Sequence, residues 1–272
     1  MKNKRYVINL ILCTIMTGFT SAIQAGNGSA GIKEETVTYT VEGLTFKGFV
    51  AYNDNIQGKR PAILVVHEWW GLNDYIKMRV RKLAELGYIA MAADLFGDGK
   101  VAANPTDAQA FTAAYYKDPT IIKKRLDAAT EKLKLYPQTD PSRVAAIGYC
   151  FGGFAALNYA KMGADLRGVV SFHGGMGGVP VDGNKLKAKV LVCHGASDKF
   201  VSQKDVESFK HKLDSAGVEN TLKIYPNATH AFSNPDATKT GKQFNMPIAY
   251  NADADRDSWN DMKTFFGKIF SK

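Results

Sequence analysis

The sequence predicts an α/β fold: a mostly parallel central sheet, an antiparallel hairpin at its N-terminal edge and helices on both faces. Three observations lead there. Short runs rich in valine, isoleucine, leucine and alanine recur along the chain and suit strands buried on both faces. Between them, apolar residues fall at i, i+4, i+7 and i+8, the spacing of helices with one buried stripe. The two patterns alternate, which builds a parallel sheet through right-handed crossovers. The 272 residues are 45% hydrophobic and 22% charged, an ordinary globular composition that excludes a low-complexity or disordered protein. A domain of this size buries a core without a disulfide framework, so the three cysteines must be explained by their neighbours.

At the N-terminus, Lys2, Lys4 and Arg5 precede an apolar run from Tyr6 to Ile15, then small and polar residues and Ala25. This is the order of a secretory signal, so removal of residues 1–25 and a secreted or periplasmic location are expected. Extended to Phe19, the run reaches only roughly 14 residues, short of the about 20 that span a bilayer. An uncleaved anchor is the alternative. Cys13 follows Leu12, where a lipoprotein site wants a small residue, so lipidation is not expected. Residues 26–35, rich in Gly, Ser, Lys and Glu, are expected as a flexible lead-in to a domain over residues 36–272. The net charge of +9 falls to +6 without residues 1–25, which hold three basic and no acidic residues. The other lysines are interleaved with acids, as in Lys123-Lys124-Arg125-Leu126-Asp127, a solvated helix face that argues against a nucleic-acid partner. No further segment resembles a membrane helix, so no stable membrane insertion is expected after cleavage.

Thr36–Val41 and Thr45–Tyr52 flank Glu42-Gly43 and predict the edge hairpin. Ala62–His67, Tyr88–Ala93, Val144–Tyr149, Gly168–Phe172 and Lys189–His194 are the expected buried strands, with another over Thr221–Tyr225. Ile76, Val80, Leu83 and Ala84 predict one helix, and Ile122, Leu126, Ala129 and Leu133 another behind an Asp118 cap and Pro119. Ser202 and Asp205 form a capping-box variant ahead of Val206, Phe209 and Leu213. Trp259, Met262, Phe266 and Ile269 share one face of a last helix, about Asp253–Phe270.

The chemistry concentrates where Val144–Tyr149 runs into Gly148-Tyr149-Cys150-Phe151-Gly152 and then into the helical pattern Phe154–Lys161. This is the G-x-S-x-G nucleophile elbow with cysteine in place of serine. The turn strains its central residue, and only small neighbours let the chain double back. A thiol at the helix N-terminus is favoured as thiolate. Asp198 stands on a loop after the strand Lys189–His194, and His230 on a loop after Thr221–Tyr225. Nucleophile, acid and histidine thus come in the order that elbow hydrolases use. His230 can shuttle a proton while Asp198 fixes its tautomer. Asp205 is the rival acid, but its place after Ser202 suits a first helical turn. The loop His67-Glu68-Trp69-Trp70-Gly71 should face the elbow, and the backbone N–H groups of Trp69 and Phe151 would then form an oxyanion hole. Trp70, Phe96, Phe200 and Phe232 are candidate pocket residues, with Trp69, Tyr115, Tyr116 and Phe151 as further aromatics that could line it. His67, His173 and His194 lack paired ligand spacing, so no metal is expected. Cys193 is expected in the core; a Cys150–Cys193 disulfide would abolish the nucleophile.

Together with Ala93-Asp94-Leu95-Phe96-Gly97, Gly153, His194-Gly195, His230-Ala231-Phe232 and Tyr250-Asn251-Ala252 with Trp259, these motifs resemble dienelactone hydrolase, the carboxymethylenebutenolidase family of α/β hydrolases. The resemblance runs from about Thr36 to the C-terminus. It implies the α/β-hydrolase fold and a Cys-His-Asp triad at Cys150, His230 and Asp198. It further implies that Glu68 pairs with the resting cysteine, holding the thiol neutral until substrate displaces the carboxylate and the carboxylate takes the proton. The family binds a substrate carboxylate with two arginines, one shortly after the strand-end aspartate and one shortly after the catalytic histidine. This chain has Asp94-Leu95-Phe96-Gly97-Asp98-Gly99-Lys100 and His230-Ala231-Phe232-Ser233-Asn234 at those places. Lys100, Lys199 and Lys239 are the candidate substitutes, though as point charges without arginine's bidentate fork. The expected activity is cofactor-free cleavage of small esters or lactones through an acyl-enzyme. A general thiol esterase or acyltransferase of the same fold, and a non-catalytic binding or redox-responsive protein, are the rivals.

Overall fold

A computed structural model describes residues 31–271; the expected signal segment lies outside the described residues. Alternation along each strand decides which side of the sheet a residue joins. In β3 (Arg60–Val66), Leu64 and Val66 enter one core layer while Ile63 and Val65 enter the other. The same two-sided burial holds for β4 (Ile89–Ala93), β5 (Thr139–Tyr149), β6 (Gly168–Phe172) and β7 (Lys189–Gly195). With β1 (Ile32–Val41), β2 (Leu44–Asn53) and β8 (Asn220–Tyr225) they form an eight-stranded sheet in the order β1-β2-β4-β3-β5-β6-β7-β8. Strands β3 to β8 pair in parallel, and the β1–β2 hairpin joins the edge of β4 antiparallel.

Helices α1 (Asp74–Glu85) and α7 (Ala252–Phe270) cover one face, burying Ile76, Val80, Leu83, Met262 and Phe266. On the other lie α3 (Thr120–Lys134), α4 (Phe151–Lys161) and α5 (Gln203–Ser215), with α2 (Pro105–Lys117) joining through Tyr115. A short α6 (Ala237–Phe244) follows the loop that carries His230. Because the central strands are parallel, the loops after β3, β4, β5, β6, β7 and β8 all leave the carboxyl ends of their strands, where sheet-borne sites form.

The domain begins earlier than its composition suggests. β1 starts at Ile32, so residues 32–35 of the expected lead-in pair with β2 in the register Ile32↔Asn53. Charged residues such as Lys33, Glu34 and Glu35 read as a solvated linker, yet charges of this kind also protect an exposed edge strand. Two helices had no strong periodic signal. α2 buries only Ala108, Thr112 and Tyr115, and α6 only Ala237 and Gly241, so neither shows a long aliphatic stripe. Asp118 does not occupy the α3 cap position, which Pro119 takes; its carboxylate instead accepts the Thr120 N–H at 3.0 Å. Ser202 and Asp205 close the expected box at α5, the Ser202 hydroxyl accepting the Asp205 N–H at 3.1 Å.

One buried charge holds α1, α7 and the His230 loop together. The Arg79 guanidinium, 1% exposed, meets Asp255 at 2.5 Å and donates to the Ser233 carbonyl, and it lies over the rings of Tyr75, Tyr149 and Trp259. Removing one partner of such a pair leaves the other charged and buried. Arg79→Met is therefore expected to cost about 3–5 kcal/mol in urea unfolding, and the double variant Arg79→Met/Asp255→Leu to recover part of that loss.

Candidate active site

Cys150 occupies the turn between β5 and α4 with φ 54° and ψ −118°, a conformation that costs a non-glycine residue of order 1–3 kcal/mol. Two neighbouring glycines make the turn possible. A Cβ on Gly148 would lie 1.9 Å from the Gly152 carbonyl oxygen, and one on Gly152 would lie 2.2 Å from that of Val66. The elbow is thus pressed onto the end of β3. The Cys150 N–H is shared between the Phe172 carbonyl at 3.0 Å and His173 Nδ1 at 3.1 Å, while its carbonyl accepts from Gly153 and Phe154. Phe151 opens α4, so its N–H is one of the first-turn donors that a helix leaves without an intrahelical acceptor.

His230 faces this thiol within hydrogen-bonding reach and donates from Nδ1 to Asp198 Oδ2 at 2.8 Å. Burial disfavours the imidazolium, but the negative charge of Cys150 and the Asp198 hydrogen bond outweigh it and push His230 up to about 10. Burial likewise opposes the Asp198 carboxylate. His230 and the N–H groups of Phe200 and Val201, at 2.8 and 3.0 Å, more than compensate and hold Asp198 below its ordinary value. The loops after β5, β8 and β7 thus bring Cys150, His230 and Asp198 together. Asp205 is occupied in the first turn of α5.

Glu68 is 1% exposed, and burial raises its carboxyl to about 7 against the opposing pull of Asn234, His230 and Arg79. Its Oε2 accepts the Asn234 amide at 2.7 Å, while Cys150 is engaged with His230. The Asn234 amide thus supplies a hydrogen bond that the desolvated Glu68 needs, a partner the resemblance did not imply, and Glu68 lines the same cavity as Cys150.

The histidines at the other strand ends act as struts. His67 donates from Nδ1 to the Glu68 carbonyl at 2.6 Å and accepts the Leu95 N–H on Nε2 at 3.2 Å, tying the loop after β3 to the loop after β4. Asp94 fastens the latter by accepting N–H groups from Lys47, Phe96, Gly97 and Gly99. Beneath Cys150, His173 accepts its N–H on Nδ1, so Nε2 carries the proton and donates to Ser233 Oγ at 2.8 Å; burial keeps this ring neutral. Ser233 also shares a 2.8 Å hydrogen bond with the Tyr75 hydroxyl. His173, Ser233, Asn234 and Arg79 were not assigned site roles by sequence reasoning. The polar pair Ser233-Asn234, closely following His230, was the available signal. Cys193 is buried in β7 with its thiol pushed up to about 12, and both Cys150 and Cys193 are free.

A cavity of about 500 Å³ opens over Cys150. Trp69, Trp70, Tyr116, Phe151 and Phe200 supply its aromatic wall, and Glu68 and His230 reach it from either side. Two expected pocket residues lie elsewhere. Phe96 packs behind Phe151 and against His67, and Phe232 is fully buried between His173 and Tyr225, because strand-end aromatics serve the core as readily as a cleft. Lys100, Lys199 and Lys239 do not line the cavity either. Sequence reasoning missed Gln109, Thr112 and Ala113, which with Tyr116 share one face of α2 at i, i+3, i+4 and i+7, and it missed Met246 and Ile248 after α6.

A parallel sheet with a hairpin edge, a strained nucleophile turn and a histidine backed by a carboxylate define an α/β hydrolase. A family model described as the dienelactone hydrolase family matches residues 46–270, and the chain belongs to that family. Protein usf of Aquifex pyrophilus is 27% identical over 237 residues, covering 85% of this chain and 97% of that protein. The crystal structure of a dienelactone hydrolase-like promiscuous phosphotriesterase, P91, from metagenomic libraries superposes with a TM-score of 0.83 at 34% identity, covering 89% of this chain and all of that one. A structure named m3DLH gives 0.84 at 34% identity over the same share of both chains.

Two outcomes follow from these environments. The folded protein retains the Glu68 proton above the ordinary value of 4.5, so its contribution to stability falls as pH rises from about 4.5 through about 7. Linkage puts the full effect at about 3 kcal/mol, and urea unfolding at pH 5 and pH 8 should show a loss in the wild type that Glu68→Gln largely abolishes. His173→Phe removes one of the two acceptors of the Cys150 N–H and should slow iodoacetamide alkylation of Cys150 by up to about tenfold, the equivalent of one net hydrogen bond. His173→Asn, whose side-chain oxygen can take the place of Nδ1, should retain most of the wild-type rate.

Proposed function

We propose that this hydrolase is exported and cleaves small carboxylic esters or lactones through Cys150, His230 and Asp198. The observation that carries the proposal is the alignment of a strained, half-buried Cys150 with a histidine that Asp198 orients. The Cys150 sulfur attacks the ester carbonyl as its proton passes to His230. The N–H groups of Phe151 and Trp69 stabilise the charge that develops on the carbonyl oxygen. As the tetrahedral intermediate collapses, the C–O bond breaks and His230 protonates the departing alkoxide. Water then adds to the thioester with His230 as base, releasing the carboxylic acid and restoring the thiol. In a lactone the leaving oxygen, once protonated by His230, remains part of the acyl chain, and the second step releases a single hydroxy acid. Glu68, with its carboxyl raised to about 7, can exchange a proton near neutral pH at the edge of the same cavity. No step calls for a cofactor.

Export is supported by the basic, apolar and small-residue order of residues 1–25. Among the described residues, no helix is long and apolar enough to cross a membrane. Because one relative is described as a promiscuous phosphotriesterase, a phosphotriester belongs in the substrate panel beside carboxylic esters and lactones.

Treatment with an ester-like, thiol-directed inhibitor should give a single adduct in intact-mass measurements and abolish turnover, and Cys150→Ala should lose both the adduct and at least about 10³-fold in kcat/KM. An adduct that forms without Cys150, or turnover that survives its replacement, would rule out this mechanism.

A further inference from the structure

The wall of the reactive cavity is uncharged wherever an anionic substrate group would need a cation. Among its lining residues there is no lysine or arginine, and His230 is already engaged by Cys150 and Asp198. Close by, Asn234 is bonded to Glu68, and Ser233 to His173 and Tyr75, so neither brings a charge to the cavity. A substrate carboxylate entering this space would lie beside Glu68 and meet no lysine or arginine, with the His230 imidazole already committed to Asp198, which disfavours it. An uncharged acyl group meets the opposite situation. Trp69, Trp70, Tyr116, Phe151 and Phe200 offer ring faces and edges around about 500 Å³, within the range of small-molecule sites and ample for a substituted ring.

Building on the hydrolase reading above, we propose that the enzyme selects uncharged esters with an aromatic or bulky apolar acyl group and rejects esters whose acyl group bears a carboxylate. The selectivity comes from the aromatic wall together with the absence of a lining cation. α2 is the element that sets it, since Gln109, Thr112, Ala113 and Tyr116 form one side of the cavity and Gln109 places a neutral amide there.

The test is a matched pair, 4-nitrophenyl 4-methylbenzoate and 4-nitrophenyl 4-carboxybenzoate, which differ in a methyl against a carboxylate of similar size. After division by their hydroxide-catalysed rates, kcat/KM should favour the methyl ester at least about 100-fold, and Gln109→Arg should narrow that ratio at least tenfold by supplying a cation. A ratio within threefold, or one favouring the carboxylate, overturns the proposal. Failure of both esters to turn over would defeat the hydrolase reading instead, and selectivity is then read from protection of Cys150 against iodoacetamide. Protection by 4-methylacetophenone at a concentration at least tenfold lower than by 4-acetylbenzoate supports the proposal. Equal protection, or better protection by the carboxylate, overturns it.

Discussion

The close approach of α4 to the end of β3 is the constraint from which the rest of the site follows. Gly152 lies so near the Val66 and His67 carbonyls that any side chain there would collide with backbone, and Gly148 meets the Gly152 carbonyl in the same way. That contact forces Cys150 into a left-handed φ and presents the N-terminus of α4 at the cavity floor. The strain persists because the surrounding hydrogen bonds over-determine it: the Cys150 N–H has two acceptors and its carbonyl two donors. Because Gly152 touches the backbone at Val66 and His67, the position of Phe151 is coupled to the segment that begins the Glu68-Trp69 loop. Two elements far apart in sequence are thereby held in register by backbone contact.

The loops above this junction are fixed mainly by buried polar groups. His67 links the β3 loop to Leu95, Asp94 gathers four N–H groups from its own loop and β2, and His173 and Arg79 converge on Ser233. Hydrophobic packing alone tolerates small shifts, whereas a desolvated donor or acceptor that loses its partner is penalised outright. A polar network therefore suits loops that must hold a histidine and a thiol within hydrogen-bonding reach. Around Ser233 its members sit on α1, the loop after β6 and the loop before α6, so the same bonds that hold the His230 loop also tie it to α1 and to the end of the sheet.

The central strands were legible because burial on both faces leaves unbroken runs such as Ala62–Val66, and the Cys150 turn was legible because its glycines are required by sterics wherever such a turn occurs. Glu68 was legible as a residue but not as an Asn234 partner, since that bond spans 166 positions. The pocket was read least well. Phe96 and Phe232 carry the same chemistry as Trp70 and Phe200, and only the direction of each side chain separates core from cavity. α2 escaped notice because Ala108 and Thr112 bury little apolar surface, so its lining face was hidden with it. His173 could be placed at a strand end, but its tautomer depends on the simultaneous presence of the Cys150 N–H and Ser233 Oγ.

Burial acts on the two proton-exchanging groups beside Cys150 in ways that complement each other. Desolvation opposes charge on both Glu68 and His230, yet only His230 has two anionic neighbours to reverse that effect. The imidazole therefore favours its protonated form, while Glu68, held by the Asn234 amide, is balanced near neutrality. The same desolvation that opposes charge on both groups thus leaves one of them a base with an anionic support and the other a carboxyl that keeps its proton into the neutral range.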